Sequence, residues 1–383
     1  MIMEKFDSIR PYNESEFNAA IKRITNHEYL PIVINSVFLN TNAEEYIKNM
    51  EKYKTVKDFQ YGFMRDAVEN ILKKTSTNFT YSGIENVKKD SCNMYVSNHR
   101  DIALDAAILC YVFALNNLEC FEVAIGSNLL QGDFVIDIAG VNKMFKIARN
   151  GGSAKDFYRD SILASEYMRH VINDKKESVW IAQRNGRTKD GDDKTELGVL
   201  KMFSLSSDKD FVENLAEINI TPVAISYEYE PCDFLKTMEL YISSFQKYVK
   251  EPGEDLRSIV SGIMQQKGQI NITITPSITR EELEYCDQFE KNAKFTTLAE
   301  IMDKRIYQAY KLYKNNYIAH DILNSANTYE EFYTKEDKEK FVAYMKTGLS
   351  KLPCAQDGDM NELENIFLKI YANPINNKLK VEN

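Results

Sequence analysis

The sequence predicts an α/β fold: a central, largely parallel sheet with helices on both faces, extended by helical segments at either end. Three observations carry this expectation. Short apolar runs rich in β-branched or aromatic residues occur at Asn93–Ser97, Glu122–Ile125, Val179–Ala182, Thr221–Tyr227 and Ile270–Ile274. Helical patterns separate most of them, at Ala103–Asn116, Ala154–Asn173 and Asp208–Asn214. Strands that alternate with helices imply crossover connections and a sheet buried on both sides. Finally, glycine and proline number only 15 and 8 in 383 residues, near half their usual share, which disfavours a loop-rich all-β architecture.

The ends read differently from the middle. Asn13 and Glu16 have the spacing of a capping box, and Phe17, Ala20, Ile21 and Ile24 follow at helical intervals. Two more helical stretches follow, over residues 43–53 and 56–74. After Thr275 the strand pattern stops. Thr297 and Glu300 suggest a second capping box, opening an amphipathic helix through Leu298, Ile301, Met302, Ile306, Ala309 and Tyr313. Helical signals continue over residues 329–345 and 361–371. The expected organisation is therefore a helical extension over 1–75, an α/β domain over 76–280 and a second helical extension over 281–383. Tyr307, Tyr310, Tyr313 and Tyr317 form a stripe that suits packing on the sheet better than a membrane interface.

Composition limits the function classes. The net charge of −9 makes nucleic acid a poor partner, because its backbone needs concentrated positive charge. From Val141 to Lys189, however, eleven Lys and Arg face five acids, which points to a pocket for an anion. The six cysteines are scattered, without a CxxC pair or zinc-ligand spacing, so no metal is expected. The N-terminus lacks a signal-peptide pattern, and the longest apolar stretch, Ala106–Leu115, is half a membrane span. A cytoplasmic protein with at most peripheral contact to the inner face of a membrane is expected.

Of four histidines, His27 and His170 lie near helix ends and His320 reads as a loop or cap residue. His99 stands apart. It sits in Val96-Ser97-Asn98-His99-Arg100-Asp101-Ile102-Ala103-Leu104-Asp105, after a short strand and before a helix. The carboxyl end of a strand is where α/β sheets place ligand chemistry. A carboxylate on one imidazole nitrogen fixes the tautomer and makes the other nitrogen a general base. Asp105 is the candidate partner and Asp101 its rival, since Asp101 also suits a helix cap. Three further segments hold polar or apolar signals: Met144–Gly152, Val179–Thr188 with Asn185-Gly186-Arg187, and Ile220–Ile225. Arginines beside a glycine turn can bind phosphate.

Taken in order, these four segments resemble the glycerolphosphate acyltransferase superfamily, which includes the lysophosphatidic acid acyltransferases. Asn98-His99-Arg100…Asp105 is similar to its His–x4–Asp block, and Phe145-Lys146-Ile147-Ala148-Arg149 to its second block. Trp180…Asn185-Gly186-Arg187-Thr188 resembles Phe-Pro-Glu-Gly-Thr-Arg, and Thr221-Pro222-Val223 resembles Val-Pro-Val. The likeness spans residues 80–280. Two positions depart from it. Five residues, not four, separate His99 from Asp105, a six-residue offset that turns about 240° on an ideal helix; His99 must precede the helix or a bulge must absorb the excess. Asn185 also stands where the family usually has glutamate.

The resemblance implies transfer of a fatty acyl group from a thioester to a hydroxyl of a glycerophosphate or lysophospholipid. Acyl-CoA or acyl carrier protein would be the co-substrate, with no further cofactor. It implies His99 as general base oriented by Asp105, and Lys146, Arg149, Asn185, Gly186 and Arg187 around the acceptor. Two other readings stay open: a lipid- or acyl-carrier-binding protein without turnover, and an acyl-thioester hydrolase. No Gly-x-Ser-x-Gly elbow is present, which argues against a serine hydrolase.

Overall fold

Residues 5–38, 42–149, 152–356 and 358–382 are described in a computed structural model of the chain. The N-terminal helices are α1 (Glu14–Thr25), α2 (Tyr29–Val37), α3 (Ala43–Asn49), α4 (Val56–Phe59) and α5 (Arg65–Thr75), the last two joined by a π-helical segment over Gln60–Met64. The capping box of α1 is present. Asn13 Oδ1 accepts from Ser15 and Glu16 N–H at 3.0 and 3.2 Å, and Glu16 returns the bond to Asn13 N–H at 2.8 Å. Phe17, Ala20, Ile21 and Ile24 form its buried face.

The middle of the chain is an α/β unit. It runs β1 (Ser76–Ser82), β2 (Met94–Ser97), α6 (Leu104–Leu115), β3 (Glu122–Gly126), α7 (Asp133–Val141), β4 (Met144–Ile147), α8 (Ala154–Asn173) and β5 (Val179–Ala182). It continues through α9 (Leu197–Ser204), α10 (Phe211–Ala216), β6 (Ile220–Tyr227), α11 (Asp233–Phe245), α12 (Glu254–Met264) and β7 (Gly268–Ile274). The seven strands form one sheet in the order β1-β7-β6-β2-β5-β3-β4. Every neighbouring pair is parallel except β6 with β7. The expected α/β class with a largely parallel sheet is therefore observed. β1 and β4, which the sequence reading did not assign as strands, occupy its two edges.

Strand alternation divides the core. Tyr95 and Trp180 face α6 and the N-terminal helices, whereas Met94, Val96, Val179 and Ile181 face α8, α9, α10 and the later helices. Burial on both faces explains why β2, β5 and β6 read as continuous apolar runs.

Among the described residues, five α-helices follow β7: α13 (Arg280–Asp287), α14 (Asn292–Ala309), α15 (Lys314–Leu323), α16 (Lys335–Leu349) and α17 (Met360–Glu382). The expected capping box at Thr297 is absent. α14 starts at Asn292, and Thr297 lies inside it with its hydroxyl donating to the Ala293 carbonyl at 3.1 Å. Tyr307, Tyr310 and Tyr313 are buried, in agreement with a packing stripe. No helix among the described residues is long and apolar enough to cross a membrane.

Candidate functional site

β2 lies between β5 and β6 and is buried along its whole length. Its carboxyl end delivers the turn Asn98–Asp101, each residue of which is also buried. Asn98 anchors the turn to β6. Its side chain accepts from Ile225 N–H at 2.8 Å and donates to the Ile225 carbonyl at 2.9 Å. His99 thus precedes α6 and is not part of it, which accommodates the six-residue offset.

The carboxylate of Asp105, in the first turn of α6, folds back over this turn. Its Oδ2 lies 3.0 Å from His99 Nδ1 and accepts from Arg100 N–H at 2.6 Å and Asp101 N–H at 3.0 Å. Oδ1 accepts from the Tyr227 hydroxyl at 2.8 Å. Burial, followed by the charge of Asp105, pushes the Tyr227 phenol well above its ordinary value, so it remains a donor. Two backbone N–H groups and a phenol leave Asp105 oriented toward the imidazole. His99 Nε2 has no hydrogen-bond partner among the described residues, and the ring packs edge-on against Trp180 at 5.8 Å.

Asp101 has a different task. Its Oδ1 accepts from Ala103 and Leu104 N–H at 2.9 and 2.8 Å, capping α6. Its Oδ2 is buried without a partner. Burial, then the neighbouring Asp105 charge, raises the Asp101 pKa. The unpaired oxygen rests against α12 at Gly262, where an added Cβ would lie 2.0 Å from it. On an exposed helix, Gly→Ala stabilises by about 1 kcal/mol. Here Asp101 is pinned by two backbone bonds, so the clash is expected to cost about 1–3 kcal/mol. Gly262→Ala should therefore lower the thermal midpoint; a rise would contradict this packing.

The loop after β5 lies beside the same turn, with Thr188 N–H donating to the His99 carbonyl at 2.7 Å. Gly186 has φ +81 and open space where a Cβ would be. Asn185 is exposed, and its N–H donates to Glu196 Oε2 at 3.0 Å. A carboxylate thus reaches the loop from Glu196, the residue just before α9, not from position 185. Arg184 Nε is 3.9 Å from Glu196 Oε1. Arg149, past the end of β4, donates its N–H to Ser127 Oγ at 3.0 Å, and its Nε has no partner. Burial lowers its pKa, opposed by Glu196. Arg187 Nη1 is likewise buried and unpaired, and its charge acts on Asp101 and Cys232.

Arg149 and the 184–187 loop therefore share Glu196 as a neighbour. Lys146 lies within edge strand β4, three residues before Arg149. Asn150 and Gly151 of the same sequence segment lie outside the described residues.

Sequence reading missed the groups that hold the turn. Arg100 is fully buried; its guanidinium reaches Asp193 Oδ2 at 2.6 and 3.2 Å and Glu230 Oε2 at 3.0 Å. Lys236 pairs with Glu230 and donates to the Arg100 carbonyl at 2.7 Å. An apolar crevice bounded by Met64, Val68, Ala106, Ala107, Cys110 and Tyr111 begins one residue beyond Asp105.

No family model matches the chain, and no curated protein matches it. Among solved structures it is similar to the 1-acyl-sn-glycerophosphate (LPA) acyltransferase PlsC from Thermotoga maritima. That match has 13% identity and a TM-score of 0.36, covering 77% of this chain and 94% of the other.

Proposed function

We propose that this chain transfers an acyl group from a thioester to a hydroxyl on a phosphate-bearing glycerol or lysophospholipid. The observation that carries the reading is the His99–Asp105 pair at a strand's carboxyl end, with Nδ1 held at 3.0 Å and Nε2 unpartnered among the described residues. A hydroxyl is too weak an acid to attack a thioester unaided. His99 Nε2 takes its proton as the oxygen bonds to the acyl carbon. The carbon–sulfur bond then breaks, and the thiolate recovers the proton from the imidazolium. The Asp105 carboxylate offsets the transient imidazolium charge.

The unpaired N–H groups of Arg149 and Arg187 are the donors proposed for the acceptor's phosphate, with the Asn185-Gly186 turn beside them. Lys146, three residues before Arg149 in β4, is proposed as a third cation for the same phosphate. Residues 76–280 form the proposed catalytic unit.

The test is thiol release from acyl-CoA or acyl carrier protein, with glycerol 3-phosphate and lysophosphatidic acid as acceptors. Acceptor-dependent release supports transfer. Equal release without acceptor would mean hydrolysis, and thioester binding without release would mean a binding protein. Arg187→Ala is expected to raise the acceptor KM about 10–100-fold, the loss of one charge-assisted contact of about 1.5–3 kcal/mol, while the donor KM stays unchanged.

A further inference from the structure

We infer that the C-terminal helix α17 is a positioning element for His99, acting through Tyr371 and the buried ion network around Arg100. Its kinetic arm rests on the function proposed above; its geometry does not.

Arg100 is the hub. Its backbone N–H holds Asp105 Oδ2 at 2.6 Å, the same oxygen that meets His99. Its guanidinium is shared between Asp193 and Glu230, donates to the Gly191 carbonyl at 3.4 Å and lies over the Tyr310 ring at 5.3 Å. Burial alone would lower the Arg100 pKa, but the two carboxylates outweigh it. The network also grips the backbone of this residue, since Lys236 donates to the Arg100 carbonyl at 2.7 Å, and so ties the N–H that orients Asp105 to the ion cluster.

α17 reaches both arms of the hub. On one side, the Tyr371 hydroxyl accepts from Glu230 N–H at 3.0 Å and donates to Asp233 Oδ2 at 2.6 Å. On the other, Asn373 donates to the Asp190 carbonyl at 2.8 Å. Gly191, at φ +80, lies so close to α17 that a Cβ would meet the Ile370 carbonyl at 2.2 Å. The loop carrying Asp193 and the residue carrying Glu230 are thus both set against one helix.

The energetics favour positioning over simple cohesion. Burying four charged side chains, Arg100, Lys236, Asp193 and Glu230, incurs a desolvation cost that an apolar cluster would avoid. What an apolar cluster cannot supply is directional hydrogen bonding at both ends of Arg100.

The experiment uses the full-length protein with labelled imidazoles. Only four histidines are present, so His99 is assigned by the signal lost in His99→Gln. The parent should show the Nδ1–H tautomer, bonded to Asp105. In Tyr371→Phe and Arg100→Lys, the His99 nitrogen shifts should move toward a mixture of tautomers, and kcat should fall about 10–100-fold, the scale of a small misplacement, with the thioester KM nearly unchanged. Lys369→Ala, at an exposed position on the same helix, should do neither. Folded Tyr371→Phe with a parent-like His99 spectrum would overturn the inference, and that variant decides alone if Arg100→Lys does not fold. If the parent transfers no acyl group yet the His99 shifts move in Tyr371→Phe, the proposed function fails and the positioning role stands.

Discussion

His99→Ala is expected to reduce acyl transfer by about 10²–10⁴-fold, the usual contribution of a general base, while leaving the fold in place. Survival of the fold follows from the surroundings of Asp105. Without the imidazole, Oδ2 keeps Arg100 and Asp101 N–H and Oδ1 keeps the Tyr227 hydroxyl, so no charge is left without donors. The main structural loss is the edge-on contact with Trp180, worth about 0.5–1.5 kcal/mol. Circular dichroism and the thermal midpoint should therefore change little while thiol release collapses. Activity close to the parent's would end the mechanism in which His99 takes the proton.

The strands most legible in the sequence were those buried on both sides. β2, β5 and β6 present little except apolar side chains, because each has neighbours on two sides and helices above and below. β1 and β4 escaped notice for the opposite reason. Ser76–Ser82 is an edge strand with several exposed polar residues, and only Phe145 in the four-residue β4 is fully buried. The start of α14 was misplaced because Thr297 and Glu300 have the spacing of a capping box, although Thr297 spends its hydroxyl on a carbonyl one turn earlier.

The site divides along the same line between local and distant information. The His99–Asp105 pairing was readable because both residues belong to one strand–turn–helix segment. The Arg100 network was not, since its partners Asp193 and Glu230 are 93 and 130 positions away. Position 185 adds a further case. The family resemblance drew attention to a missing glutamate there, whereas Glu196, eleven residues later, brings a carboxylate to the Asn185 backbone.

Asp105→Asn should be far more damaging than Asp101→Asn, and the hydrogen bonds say why. At Asp105, three donors converge on Oδ2, so an asparagine must place its carbonyl oxygen there and its amide toward Tyr227, whose hydroxyl oxygen can accept. The geometry and the fold are retained. The negative charge that stabilises the imidazolium is lost, and a fall of about 10²-fold or more is expected, within the general-base range. At Asp101, the oxygen that matters is Oδ1, which caps α6, and asparagine caps a helix about as well as aspartate. The Oδ2 it replaces has no partner, and burial and Asp105 already disfavour its charge. Removing that charge relieves repulsion beside the His99–Asp105 pair, so Asp101→Asn should stay within a few-fold of the parent in kcat. Measuring kcat and the thermal midpoint for both variants checks the ordering. The reverse ordering would make Asp101 the functional partner of His99 and leave the Asp105 contact a structural brace for the turn.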